Sequence, residues 1–171
     1  MKRIHIVGSK NSGKTTLIED LTNQLTSQGY RVGTVKHTHH RHELDTPGKD
    51  SHRHREAGAS VVGILSPGMT AVFRPAEPQE DVSDRYDLFS SAFADCDVIL
   101  VEGHLRADGF KIEVWRAATT PQPLAADDES ISAVITDDAT EVSIPIHRRS
   151  DILSLATWVL SVAKGVPSQD M

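Results

Sequence analysis

The chain has 171 residues, 38% hydrophobic and 25% charged, which suits one domain with a real core and no disulfide staples. A net charge of −6 argues against general affinity for nucleic acid or an anionic membrane, and no stretch approaches the ~20 apolar residues that span a bilayer. The single cysteine, Cys96, excludes an intrachain disulfide and a cysteine-rich zinc site, and the apolar run before Gly8 is too short for a signal peptide, so the expected location is the cytoplasm.

In chain order, residues 4–7 form a short β-rich run ended by Gly8 and read as a buried strand. Leu17, Ile18, Leu21 and Leu25 then share one face of a helix that Gly29 ends. Residues 31–36 read as a second strand, which makes a βαβ unit and a parallel sheet. Residues 37–49 form a polar loop with a Pro47-Gly48 turn, and Asp50 or Ser51 is placed to cap a helix running to about Ala57. Residues 61–65 and 70–73 flank Ser66-Pro67-Gly68 and predict an antiparallel pair. Val82, Tyr86, Phe89 and Phe93 recur at helical intervals, and residues 98–101 are four apolar residues in a row, a central strand ending at Glu102-Gly103. Residues 111–115 alternate like a strand, 117–130 form an exposed loop, 131–135 the last main strand, and 152–162 a closing helix with Ser150 as its cap. No linker divides the chain. Residues 1–164 are expected to form one nucleotide-binding domain and residues 165–171 a flexible tail.

Gly8-Ser9-Lys10-Asn11-Ser12-Gly13-Lys14-Thr15 satisfies G-x-x-x-x-G-K-[ST] in full. Gly8 and Gly13 let the backbone turn tightly and approach phosphate closely. The amides of Gly8, Ser9, Asn11, Ser12, Gly13, Lys14, Thr15 and Thr16 then face an anion at the positive end of the following helix. Lys14 sets a point charge against the β- and γ-phosphates and is the catalytic candidate, while the Thr15 hydroxyl enters the shell of Mg²⁺. Two acids are candidates to complete the magnesium side: Glu102, which ends its strand, and Asp45, which follows the second strand and could equally be a turn residue. Asp97 lies at the other end of its strand and reads as structural.

Six of the nine histidines fall between residues 37 and 54, namely His37, His39, His40, His42, His52 and His54. They lack a recognised ligand spacing, and a solvated loop fits them better than a dedicated metal site. Arg53 and Arg55 in the same stretch could meet a phosphate-bearing ligand. No N-K-x-D sequence marks guanine. Asp137 or Asp138 after the last main strand could accept from guanine N1 and N2, or serve as a turn acid.

Beyond the phosphate loop, the blocks Gly29-Tyr30-Arg31-Val32-Gly33-Thr34-Val35-Lys36-His37, Asp45-Thr46-Pro47-Gly48-Lys49-Asp50-Ser51, Arg55-Glu56-Ala57-Gly58-Ala59, residues 98–103, and Lys111-Ile112-Glu113-Val114 follow in order. With these blocks, residues 4 to about 115 resemble the molybdopterin-guanine dinucleotide biosynthesis protein B (MobB) family. The resemblance implies an α/β P-loop NTPase fold with a mixed, mainly parallel sheet flanked by helices. It also implies a homodimer that binds GTP with Mg²⁺, hydrolyses it weakly, and assists the guanylyltransferase that attaches GMP to molybdopterin. The transferase, and molybdopterin itself, are the implied partners. One departure is His104, which stands where the family usually carries an aromatic after V-E-G. Two rival readings are a nickel-delivering GTPase, which the histidines favour, and a small-molecule kinase.

Overall fold

The computed structural model describes residues 3–38, 40, 42–76 and 85–165. Along them run β1 (Arg3–Val7), α1 (Lys14–Ser27), β2 (Val32–Lys36), α2 (Asp50–Glu56), β3 (Val62–Leu65), β4 (Thr70–Phe73), β5 (Val98–Glu102), β6 (Phe110–Val114), β7 (Ile131–Ile135), β8 (Ile146–His147) and α3 (Ile152–Lys164). The chain divides into two compact units, residues 1–38 with 88–171 and residues 39–87. Val82 and all of the expected tail beyond Gly165 lie outside the described residues.

The larger unit is an α/β fold on a six-stranded sheet of order β2-β5-β1-β6-β7-β8, every neighbouring pair parallel. Ile4, Ile6, Leu100, Ile112 and Ile135 meet α1 and α3 on one face. Leu17, Leu21 and Leu25 are fully buried there, each removing apolar area from water worth roughly 1.5–3 kcal/mol. β1 and β6 are neighbours whose onward connections run to opposite halves of the sheet, β1 to β2 and β6 to β7, so the segment after β1 opens at a topological switch point where ligands of open α/β sheets bind. β8, a two-residue edge strand, extends the sheet beyond the expected last strand.

The alternation expected for residues 111–115 predicts one wet face, but β6 is buried on both. It is an interior strand, and Lys111 and Glu113 are enclosed with His5 on the face away from α1. Burial pushes the Glu113 carboxyl up, while its two oxygens accept from the N–H groups of Leu124 (2.8 Å) and Ala125 (2.9 Å). These bonds hold a short 3₁₀ turn, Leu124–Ala126, in the stretch expected to be a plain loop. Another 3₁₀ turn, Tyr86–Phe89, follows Arg85, which is helical, within the stretch whose apolar residues recur at helical intervals. The cap of α3 is Asp151, whose side chain accepts from Ser154 N at 3.2 Å. Ser150 instead donates its N–H (3.0 Å) and hydroxyl (2.8 Å) to Asp137 Oδ1.

The smaller unit has little interior. None of the residues of α2 is buried, and its N-cap is Lys49, with Asp50 and Ser51 inside the first turn instead of capping it. β3 and β4 form the expected antiparallel pair, Val62 opposite Phe73 and Leu65 opposite Thr70, as a separate two-stranded sheet. Val62 is buried, whereas Leu65 is 86%, Met69 74% and Val72 66% exposed.

Candidate functional site

The loop after β1 is shaped by contacts that permit little substitution. Gly8 has φ 137°, and a Cβ there would collide with the Val114 carbonyl oxygen and stand 2.9 Å from Ser12 Oγ. Asn11 occupies the left-handed region at φ 64°, and Gly13, at φ 99°, leads into α1. The first turn of α1 leaves N–H groups without intrahelical acceptors, at the positive end of the helix dipole. The Ser12 hydroxyl is buried in the same loop and has no hydrogen-bond partner in the structure. Lys14 Nζ donates to the carbonyls of Gly8 (3.0 Å) and Ser9 (2.6 Å), which lays its ammonium across the loop. Burial lowers its pKa, the Glu102 carboxylate works against that, and the Lys36 ammonium adds to it.

Thr15 and Glu102 come together. The Thr15 hydroxyl donates to Glu102 Oε1 at 2.9 Å, joining the start of α1 to the end of β5 across 87 positions of sequence. Lys36 Nζ stands 3.4 Å from the same oxygen. A hydroxyl and a carboxylate beside a phosphate-type loop are the hard oxygen donors that Mg²⁺ takes alongside phosphate. The residues present therefore fit that ion, with Thr15 and Glu102 to hold it.

Two links close the neighbouring loops. The Ser9 hydroxyl donates to Thr119 Oγ1 at 3.2 Å, and Trp115 Nε1 donates to Thr120 Oγ1 at 3.0 Å, drawing the segment after β6 to the phosphate loop. Asp138 Oδ2 accepts from Ala117 N at 2.8 Å and so joins the ends of β6 and β7. Both bonds to Asp137 from Ser150 fall on Oδ1 and hold that carboxyl below its usual range. Asp97 has the expected structural part: it accepts from Arg31 N and donates its own N–H to Arg31 O, both at 2.8 Å, tying the starts of β2 and β5.

Asp45 belongs to the smaller unit. Its Oδ1 accepts from Thr46 N (2.8 Å) and Ser51 Oγ (2.9 Å), the pattern of a turn acid, and its Oδ2 is buried without a hydrogen-bond partner. Within that unit Glu43 gathers the Arg55 guanidinium (2.6 Å) and the His52 ring (3.7 Å), and Arg53 lies 3.9 Å from Asp50. Among the described residues, no group of three His, Cys, Asp or Glu side chains is placed to hold a metal ion; His39 lies outside them.

Sequence reasoning missed Lys36 and the stacking of the rings of His37, His104 and His5. His37 and His104 stack at 4.1 Å between centroids, and His5 meets His104 edge-on at 5.9 Å. His104 therefore supplies an aromatic face at the departing position, with a left-handed backbone of φ 66°. Gly103 before it has φ 86°, and a Cβ there would stand 3.2 Å from the His37 carbonyl oxygen. The available signal was strand-end position: Lys36 ends β2 as Glu102 ends β5.

Comparison with known proteins agrees with this geometry. The family model described as "Molybdopterin guanine dinucleotide synthesis protein B" matches residues 3–137. A molybdopterin-guanine dinucleotide biosynthesis adapter protein of Escherichia coli K12 is 32% identical over 151 residues, covering 87% of this chain and 86% of that protein. The Haemophilus influenzae protein of the same name is 36% identical over 154 residues, covering 90% and 85%. The crystal structure of Bacillus subtilis MobB superposes with a TM-score of 0.70 at 28% identity, covering 94% of this chain and 97% of that one. A phosphate-type loop at the switch point of a parallel sheet, together with a family match over most of the chain, shows that this chain belongs to the MobB family.

Proposed function

We propose that this protein binds GTP with Mg²⁺, hydrolyses it slowly, and acts as an accessory adapter to the guanylyltransferase that attaches GMP to molybdopterin. The observation that carries the reading is the 2.9 Å bond between Thr15 and Glu102 at the head of a complete phosphate-loop motif. The adapter role follows the names of the relatives, which are molybdopterin-guanine dinucleotide biosynthesis adapter proteins.

In this reading the loop amides from Gly8 to Thr16 take the phosphate oxygens. Lys14 leaves the carbonyls of Gly8 and Ser9 for the β- and γ-phosphates, the buried Ser12 hydroxyl gains a phosphate acceptor, and Thr15 and Glu102 hold the metal. Bound Mg²⁺ supplies charge neutralisation at the terminal phosphate. Asp137, oriented through Oδ1 by Ser150, offers Oδ2 to guanine. No arginine finger is assigned from this chain, so turnover by the protein alone is slow and the nucleotide acts chiefly through its effect on a partner.

The protein acts as a homodimer in the cytoplasm, and the exposed Leu65, Met69 and Val72 of the smaller unit support self-association. Among the described residues no helix is long and apolar enough to cross a membrane.

Calorimetry with GTP and ATP, each with and without Mg²⁺, tests the core of this reading. GTP binding that needs magnesium and rises in consequence when the transferase and molybdopterin are present is the expected result. Equal affinity for the two nucleotides would remove the guanine assignment, and the absence of any binding would remove the nucleotide reading altogether.

A further inference from the structure

The cation beside Glu102 is not required to hold the sheet together. β2 and β5 pair in register through five residues, from Val32 opposite Val98 to Lys36 opposite Glu102. Their starts are tied by the two Arg31–Asp97 bonds and by an ion pair between Arg31 and Asp95 at 3.4 Å. Lys36 and Glu102 are the last residues of adjacent parallel strands, opposite one another, so their side chains leave the sheet on the same side. There Glu102 Oε1 serves two donors at once, the Thr15 hydroxyl at 2.9 Å and the Lys36 ammonium at 3.4 Å. The two partners differ in setting: the Glu102 side chain is 17% exposed, the Lys36 side chain 68%. An ion pair with one end in water is weak and is easily displaced by a divalent cation.

We infer that Lys36 is a stand-in cation for the metal: it neutralises Glu102 while no metal is bound, yields that carboxylate to Mg²⁺, and then turns its ammonium to the terminal phosphate. Lys36 thereby distinguishes a triphosphate from a diphosphate. This rests on the nucleotide reading above and adds to it a residue that couples metal arrival to recognition of the γ-phosphate. The chemistry is simple exchange of partners. Lys36 has three N–H donors and one positive charge, suited equally to a carboxylate oxygen and to a phosphate oxygen. Its four-carbon stem, standing largely in solvent, permits the swing.

The exchange gives Lys36 opposite effects on two ligands, which a merely structural ion pair would not. Removing its charge takes away the competitor for Glu102 and also takes away a phosphate contact. The test uses the full-length chain with K36M and K36R, each checked by circular dichroism for an unchanged melting curve. Mg²⁺ is titrated into the GDP complex, and GDP is compared with a non-hydrolysable GTP analogue by calorimetry. In K36M, Mg²⁺ is expected to bind the GDP complex about five-fold more tightly, the scale of an exposed ion pair. The preference of K36M for the triphosphate over the diphosphate is expected to fall about ten-fold, the scale of a charge-assisted hydrogen bond. K36R, which keeps the charge, should retain most of that preference. Mg²⁺ affinity that is unchanged or weaker in K36M, or an unchanged nucleotide preference, overturns the assignment of Lys36 while leaving the phosphate-loop reading standing. If the unmodified chain binds neither nucleotide, both readings fall together.

Discussion

The two units of this chain solve the problem of stability differently. In the larger one, β5 contributes four consecutive buried residues and α1 and α3 seal a face of the sheet. In the smaller one, α2 buries none of its residues and the β3–β4 pair leaves Leu65 and Val72 exposed to solvent. An isolated two-stranded sheet is marginal in water, so within the smaller unit loop bonds such as Asp45–Ser51 and Glu43–Arg55 matter for stability. The comparison teaches that the proposed chemistry falls in the well-packed unit: the Thr15–Glu102 pair sits on elements whose positions are set by a packed interior. The smaller unit carries the most exposed of the large apolar side chains, Leu65 among them.

The largest effect expected on the rigid side is on ligand binding. Lys14→Ala removes the one ammonium that lies across the phosphate loop, and GTP affinity is expected to fall by about 100-fold or more, since a charged contact to phosphate is worth about 3 kcal/mol in such a site. Calorimetry checks it, and micromolar affinity retained by the variant would break the claim that this loop is the binding site.

Next comes stability. Leu100→Ala in β5 empties a fully buried position and is expected to cost about 2–5 kcal/mol in urea unfolding. A loss below about 1 kcal/mol would mean that the interior relaxes into the space, contrary to a tightly packed sheet.

These two predictions also mark what was legible beforehand. The phosphate loop was readable because its chemistry needs neighbouring residues in one contiguous string. β5 was readable because an interior parallel strand shows as an apolar run. Glu102 was readable from its place at the end of that run. Lys36 ends β2 as Glu102 ends β5, but it was not singled out, because its pairing with Glu102 depends on β2 lying beside β5 across 66 positions. The Ser9–Thr119 link spans 110 positions and was hidden for the same reason. β8 holds two residues, too few to show any period. Adjacent Ser150 and Asp151 are both good caps, and geometry decided between them: Ser150 is taken by Asp137, which leaves Asp151 for α3.

A third prediction concerns pH and the enclosed face of the sheet. Burial, reinforced by the charges of His104, Arg3 and Lys111, lowers the His5 pKa to about 4, against the hydrogen bond to the Gly103 backbone that favours the charged ring. The unfolded chain takes a proton on this residue below about pH 6.5, whereas the folded chain does not until about pH 4. Between those limits the unfolded state binds more protons, so stability falls as the pH falls, by up to about 3 kcal/mol from this group. His5→Leu cannot gain that proton. Its stability, measured by urea unfolding from pH 7.5 to 4.5, should be lower at neutral pH through loss of the Gly103 bond but decline less steeply on acidification. An identical slope in the two proteins would show that His5 is not the enclosed neutral ring described.

The smallest effect on folding is expected in the smaller unit, and it sharpens the comparison most. Leu65 is 86% exposed at the end of β3, so Leu65→Ser removes almost no buried area and should shift the unfolding free energy of the single chain by no more than about 0.5 kcal/mol. If the apolar face of the hairpin serves self-association, the same substitution weakens the dimer, and light scattering across a dilution series should show dissociation at higher concentration than in the unmodified protein. Because a dimer stabilises its subunits by mass action, the melting temperature of the unmodified protein should rise with concentration more steeply than that of the variant. Equal association of the two proteins would place the dimer surface elsewhere. A large loss of stability independent of concentration would show instead that Leu65 is needed within the smaller unit itself, against its exposed position.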